Sequence, residues 1–133
     1  MTVARPDVDL VRELLHYDPA TGSLTWRERE PRHFPGTEEQ KRRYCSLWNG
    51  SFAGRPALNC PDFGYRSGSL LGRKALAHRV AWAVHYGKWP KNQIDHINGV
   101  RDDNRICNLR DATLVENRRN ARMDKRNTSG VTG

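Results

Sequence analysis

IDHINGVRDDNRICNLRDATLVEN, residues 94–117, decides how this chain is read. It sets Asp95 beside His96 and then places Asn at 98, 104, 108 and 117, in a segment too polar to be core. Gln93, Ile94 and Ile97 read as a short strand, Asn98-Gly99 opens a loop, and LRDATL, residues 109–114, alternates Leu109 with polar residues as a second strand. Two strands are thus joined by a long polar loop. Thr113-Leu114-Val115-Glu116 then matches the capping box, in which the Thr hydroxyl and the Glu carboxylate each satisfy a backbone N–H at a helix start. Asn117 falls in the first turn of that helix.

Upstream, GYRSGSLLGRKALAHR reads as two short strands around Gly72, feeding a helix in AHRVAWAVHYG whose Val80, Ala81, Trp82 and Val84 suit packing. Gly87 and Pro90 end it. His78 and His85, seven apart, read as partly buried packing residues with one hydrogen bond each. Near the start, DVDLVRELLHY carries Leu10, Val11, Leu14 and Leu15 at helical spacing behind an Asp7 cap. DPATG stops that helix, and SLTWRER alternates Leu24 and Trp26 with polar residues as a half-buried strand. Residues 28–50 resist assignment: EEQKRRY fits a helical turn, while Pro31, Pro35 and Gly36 fit a loop equally well.

Composition sets the outer limits. The 133 residues suit one compact unit with a modest core, and 36% hydrophobic content fits a globular protein rather than a disordered tail. Twenty-three Lys and Arg against 15 Asp and Glu give a net charge of +8. Such a balance favours a polyanionic partner, either nucleic acid or an acidic membrane surface. No apolar run approaches the ~20 residues of a membrane span, and MTVARPDVDL lacks a signal-peptide core, so a cytosolic protein is expected. Cys45, Cys60 and Cys107 are odd in number and widely spaced, and read as free thiols. A cluster of Cys107, His78, His85 and His96 assembled in space would lack the close ligand pairs of zinc sites.

A D-H pair ending one strand, an Asn twelve residues after His96 and another nine beyond that on a following helix resemble the site of HNH endonucleases. The likeness includes N-R-x-x-N-L-R at Asn104–Arg110 and extends upstream to AHRVAWAVHYGKWP and LLHYDPATGSLTWR, about two thirds of the chain. These stretches are similar to a phage-associated and homing subgroup. The resemblance implies an α+β fold, with a ββα-metal (His-Me finger) core at residues 92–123 and an N-terminal helix and strand region, 1–91, that helps hold DNA. It implies cleavage of double-stranded DNA, with no membrane partner, in the cytoplasm of a bacterial host cell; monomer and homodimer both remain open.

The chemistry such a site requires agrees with these residues. Phosphodiester hydrolysis needs an activated water, a Lewis acid on the phosphate and stabilisation of the leaving oxygen. Asp95 and Asn117 supply a carboxylate and an amide oxygen suited to one Mg²⁺ or Mn²⁺, and His96, with an ordinary pKa near ~6.5, takes a proton from water at neutral pH. Asn108, by the resemblance, ties the loop between the strands and keeps base and ligands aligned. Neighbouring strand residues point to opposite faces, so Asp95 and His96 serve one phosphate only if the strand bends or ends there.

Arg118, Arg119, Arg122, Lys125 and Arg126 follow Asn117 directly and are expected along phosphates, with Arg73, Lys74, Arg79, Lys88 and Lys91 weaker candidates. RNTSGVTG, at 126–133, resembles the start of a small β-rich DNA-binding module related to the AP2 type, so the basic tail from residue 124 reads as the start of a truncated module whose specificity part is expected to be missing. Two other functions share the motif: a catalytically idle DNA-binding accessory protein, and a restriction or packaging nuclease. An ordinary polar turn, with Asp95 paired to a nearby Arg and Asn117 at the surface, would use the same residues without their ordered spacing.

Overall fold

In the computed structural model of the protein, residues 5–112 are described; the Thr113–Glu116 capping box, Asn117, the basic run 118–126 and the tail lie outside them. The order is α1 (Val8–Leu14), β1 (Leu15–Tyr17), β2 (Leu24–Trp26), α2 (Glu38–Phe52), β3 (Cys60–Asp62), β4 (Tyr65–Leu70), β5 (Arg73–Leu76), α3 (Ala77–Tyr86), β6 (Gln93–His96) and β7 (Leu109–Ala112). Short 3₁₀ turns lie at Pro31–His33 and Ile106–Asn108. All strand pairs are antiparallel: β1 with β2, the meander β3-β4-β5, and β6 with β7. The fold class is α+β.

Asp7 caps α1 as its composition suggests, its side chain accepting from Asp9 N–H. The helix is shorter than its spacing implies. It stops at Leu14, and Leu15 and Tyr17 instead bury alternately as a strand opposite Trp26 and Leu24. Tertiary burial overrides local helical spacing here, because period-2 alternation lets both side chains enter the core against β2. Together with Val11 and Leu14 of α1, Leu70 of β4, Val80 and Ala81 of α3, and Ile94 and Leu109 of the last ribbon, they make one contiguous cluster. Helix α3 packs against α1, β1, β4 and β5, and ends at Gly87 in the left-handed region.

The unassigned segment holds a fifteen-residue helix, α2. Its start is marked by a capping box, Thr37 with Gln40, each side chain bonded to the other's backbone N–H. Cys45 is its only fully buried residue, so the helix carries no broad apolar stripe by which its period shows. Strand β3 was likewise absent from the sequence reading, whereas the two strands around Gly72 are β4 and β5. All three cysteines are free thiols.

Candidate active site

Strands β6 and β7 pair in the register Gln93↔Ala112, Ile94↔Asp111, Asp95↔Arg110 and His96↔Leu109. Alternation puts Ile94 and His96 on the buried face and Asp95 on the other, where Arg110 bonds its carboxylate from directly across the ribbon. The strand ends at His96. Gly99 N–H donates to His96 O at 2.9 Å, closing the turn through Asn98.

The loop from Ile97 to Asn108 is tied together by its own Asn and Asp side chains. Asn108, 4% exposed, accepts from Asn98 N–H through Oδ1 at 2.9 Å, and its Nδ2 donates to Asn98 Oδ1 and to Asp103 O, both at 2.9 Å. Asp103 is gripped by Arg105 at 2.8 and 2.7 Å and accepts from Asn98 Nδ2. Arg105 holds the Asp103 carboxyl far below the usual carboxylate range, with Asn98 adding to the effect.

His96 is 7% exposed, and its Nε2 lies 3.0 Å from Asn104 Oδ1. An amide oxygen only accepts, so Nε2 is the donor in this contact, and Nδ1 is the acceptor of the neutral tautomer. Asn104 is in turn held from the N-terminal hairpin: Tyr17 Oη donates to its carbonyl, and Ile106 N–H donates to Pro19 O at 3.1 Å. Burial, with Cys107 next, raises the Tyr17 phenol so that it remains a donor. Gly22 makes this approach possible, because a Cβ there would lie 2.6 Å from Asn104 C and 2.7 Å from Arg105 N. The chain Tyr17–Asn104–His96 therefore joins the first strand to the last ribbon.

His78, from the first turn of α3, closes the other side. Its ring centroid is 5.1 Å from that of His96, and Tyr65 of β4 lies 5.2 Å from His78 and 5.9 Å from His96. His78 packs as its spacing suggested, but it is fully rather than partly buried. Nδ1 is buried without a partner among the described residues. Burial first, then His96 and Arg79, pull its pKa from 6.5 to about 4, so it adds no charge beside His96 at neutral pH. His85, by contrast, is exposed, edge-on to Tyr17 and Tyr86. No group of three or more His, Cys, Asp or Glu able to hold a metal occurs among the described residues, so the Cys107–His78–His85–His96 cluster does not form there.

This burial has a pH consequence. The folded pKa of about 4 lies below the ordinary 6.5, so the unfolded chain takes up a proton that the folded chain refuses. Stability is full above pH 6.5 and falls as pH drops toward 4, by about 3 kcal/mol in all. His78→Phe should flatten the melting-temperature profile between those limits; an unchanged acid slope would remove His78 as its cause.

Of the other expected residues, Arg73 is exposed on β5 and Lys74 pairs with Asp62 at 2.7 Å. Arg79 donates to Asn92 O at 3.2 Å and Pro90 O at 3.5 Å, tying α3 to the approach to β6, and burial lowers its pKa. Lys88 and Lys91 are exposed beyond α3. The sequence reading assigned no part to Asn104, Tyr17, Tyr65 or Arg110. Asn104 opens N-R-x-x-N-L-R, so the signal for it was present; the others become neighbours only through the fold.

Residues 75–122 match the family model described as HNH endonuclease. The match takes in α3 as well as β6, β7 and their loop. No curated protein and no solved structure matches the chain. No helix among the described residues is long and apolar enough to cross a membrane.

Proposed function

We propose that this protein is a metal-dependent DNA endonuclease of the phage-associated or homing type, with His96 as general base. The observation that carries this reading is the orientation of His96: with Nε2–H donating to Asn104 Oδ1 at 3.0 Å, the neutral ring has Nδ1 as the atom that accepts a proton from water. Asp95 and His96 lie on opposite faces of β6, so one phosphate reaches both only across the strand's end, where the Asn98-Gly99 turn leaves backbone instead of a further strand residue. Asn108 keeps that turn in place, a positioning task.

The donor set fits a hard divalent cation: Asp95 offers a carboxylate that is partly exposed, and Asn117 would add an amide oxygen, with water and phosphate completing the shell. Bound Mg²⁺ or Mn²⁺, one ion per site, would supply Lewis acidity at the phosphate and charge for the leaving oxygen. Arg110 bonds the same carboxylate, so a bound cation would share Asp95 with it or displace it. Asp95→Ala should raise the Mg²⁺ concentration needed for half-maximal cleavage more than Asn117→Ala, since a carboxylate brings a full charge and an amide a dipole. Identical Mg²⁺ dependence in wild type and both variants would rule out this ligand pair.

The Asp95–Arg110 pair also favours a second reading, a DNA-binding accessory protein that keeps the fold without cleaving. A supercoiled-plasmid assay with Mg²⁺, Mn²⁺ or EDTA separates the two. Metal-dependent nicked or linear product supports the nuclease, and retarded but intact plasmid supports the binder. Double-stranded DNA is the partner in both, through phosphate contacts from the basic run after Asn117.

A further inference from the structure

Ile97 and Val100 are 57% and 49% exposed, although both are aliphatic and both follow closely on the buried His96. Exposed apolar side chains are ordinary when scattered. These two frame a turn whose polar groups are already taken. Asn98 Oδ1 accepts from Val100 N–H and from Asn108 Nδ2, each at 2.9 Å, and Asn98 Nδ2 donates to Asp103 Oδ2 at 2.7 Å. Gly99 N–H goes to His96 O and Ile97 N–H to Asn108 O, both at 2.9 Å. With these donors and the carboxamide committed to the loop itself, the surface that flanks the turn is aliphatic.

The bond from Ile97 to Asn108 carries the β6–β7 pairing one residue past His96 and Leu109. Alternation then returns Ile97 to the face of Asp95, about 7 Å along the strand from it. Asp95 is the carboxylate read above as the metal ligand, and a phosphate that meets both it and His96 has to cross the end of β6. Ile97 is that end. The bond from Gly99 N–H to His96 O folds the chain back there, and Val100 follows directly. A DNA strand carries a deoxyribose on each side of every phosphate, the apolar element between one charge and the next. A strand that lays its phosphate over the end of β6 therefore lays a sugar against these side chains. Base edges are read by donors and acceptors, of which the turn has none to spare.

We propose that Ile97 and Val100 form an apolar seat for the deoxyribose next to the phosphate presented to His96, and that this seat selects DNA over RNA at the cleaved bond. A ribose would bring its 2′-hydroxyl against aliphatic carbon, where the hydroxyl loses water and finds no partner. The proposal rests on the nuclease reading for the path of the strand, and on the exposure of the two side chains and the committed turn for the seat itself.

The test uses the full chain with isotope-labelled Ile and Val methyls, bound to a DNA duplex in EDTA. Ile97→Asn and Val100→Thr identify the two signals by their loss, and both variants should melt with wild type because the side chains are exposed. Nuclear Overhauser contacts from these methyls to deoxyribose protons are expected; contacts to base protons alone, or none in a saturated complex, overturn the seat. With Mg²⁺ present, the bond that wild type cuts is mapped, and a single ribose is placed on either side of it in turn. One of the two placements should slow cleavage about 100-fold, as an apolar pocket does for an added hydroxyl. In Ile97→Asn or Val100→Thr that penalty should shrink about tenfold, the size of one recovered hydrogen bond. Equal cleavage of ribose and deoxyribose substrates, or a penalty as large in both variants as in wild type, overturns the selection. Nicking without methyl–sugar contacts sinks the seat and leaves the nuclease reading intact. Methyl–sugar contacts in a protein that never nicks support the seat and sink the nuclease. Failure of wild type to bind DNA overturns both.

Discussion

His96→Ala should lower strand cleavage by about 10²–10⁴-fold, the usual contribution of a positioned general base, while DNA affinity changes little, since phosphate contacts carry most of it. The truncation also strands the buried Asn104 amide, whose oxygen bonds His96 Nε2 at 3.0 Å. A loss of activity by Ala alone would therefore mix chemistry with loop displacement. His96→Gln separates the two, because its amide N–H restores the bond to Asn104 and cannot accept a proton from water. Both variants should be inactive, with Gln closer to wild type in melting temperature. Cleavage at the wild-type rate in either would end the assignment of His96 as base.

Asn108→Ala should destabilise the protein by about 2–4 kcal/mol, because three hydrogen bonds of a buried carboxamide vanish together and leave Asn98 and the Asp103 carbonyl short of partners. For a chain of this size that is roughly a 10 °C loss in melting temperature. Activity measured well below the melting point should fall too, since the loop that carries Asn104 loses its tie. Asn108→Asp should not rescue: its carboxylate still accepts from Asn98 N–H but faces the Asp103 carbonyl with no donor. A calorimetric melt unchanged in both variants would show that Asn108 holds nothing.

The last ribbon was legible in the sequence because its elements are local. A strand, an Asn-Gly turn and a second strand each declare themselves within a few residues, and β6 and β7 lie where the pattern of Ile94 and Leu109 puts them. Helix α3 was legible for the same reason, through its apolar spacing and Gly87. Helix α2 was not, since burying one Cys leaves no periodic signature. Leu15–Tyr17 misled because the same leucines satisfy a helical spacing and a strand alternation, and only the partner strand chooses between them. Within the site, spacing picked out Asp95, His96 and Asn108. An Asp95–Arg pair was among the readings the residues allowed, but which Arg, and that His78 lies on His96, depend on register and on a helix packed across the ribbon.

The bond from Tyr17 to Asn104 spans 87 positions of chain. Residues 75–122, the stretch that carries the HNH pattern, do not include the hydroxyl that steadies their own histidine. On a ribosome the hairpin of Tyr17 emerges first and waits for nearly the whole described chain before its partner appears. The two ends of that wait are joined at the entropic cost of closing a long loop. A fragment begun at residue 75 would keep the motif and lose its anchorage, and a protease cut in the Asp18–Ser23 turn would loosen a site that lies far from the nick in sequence. The matched stretch is thus a lodger in a larger frame, completed only when the hairpin of Tyr17 has closed upon the loop of Asn104.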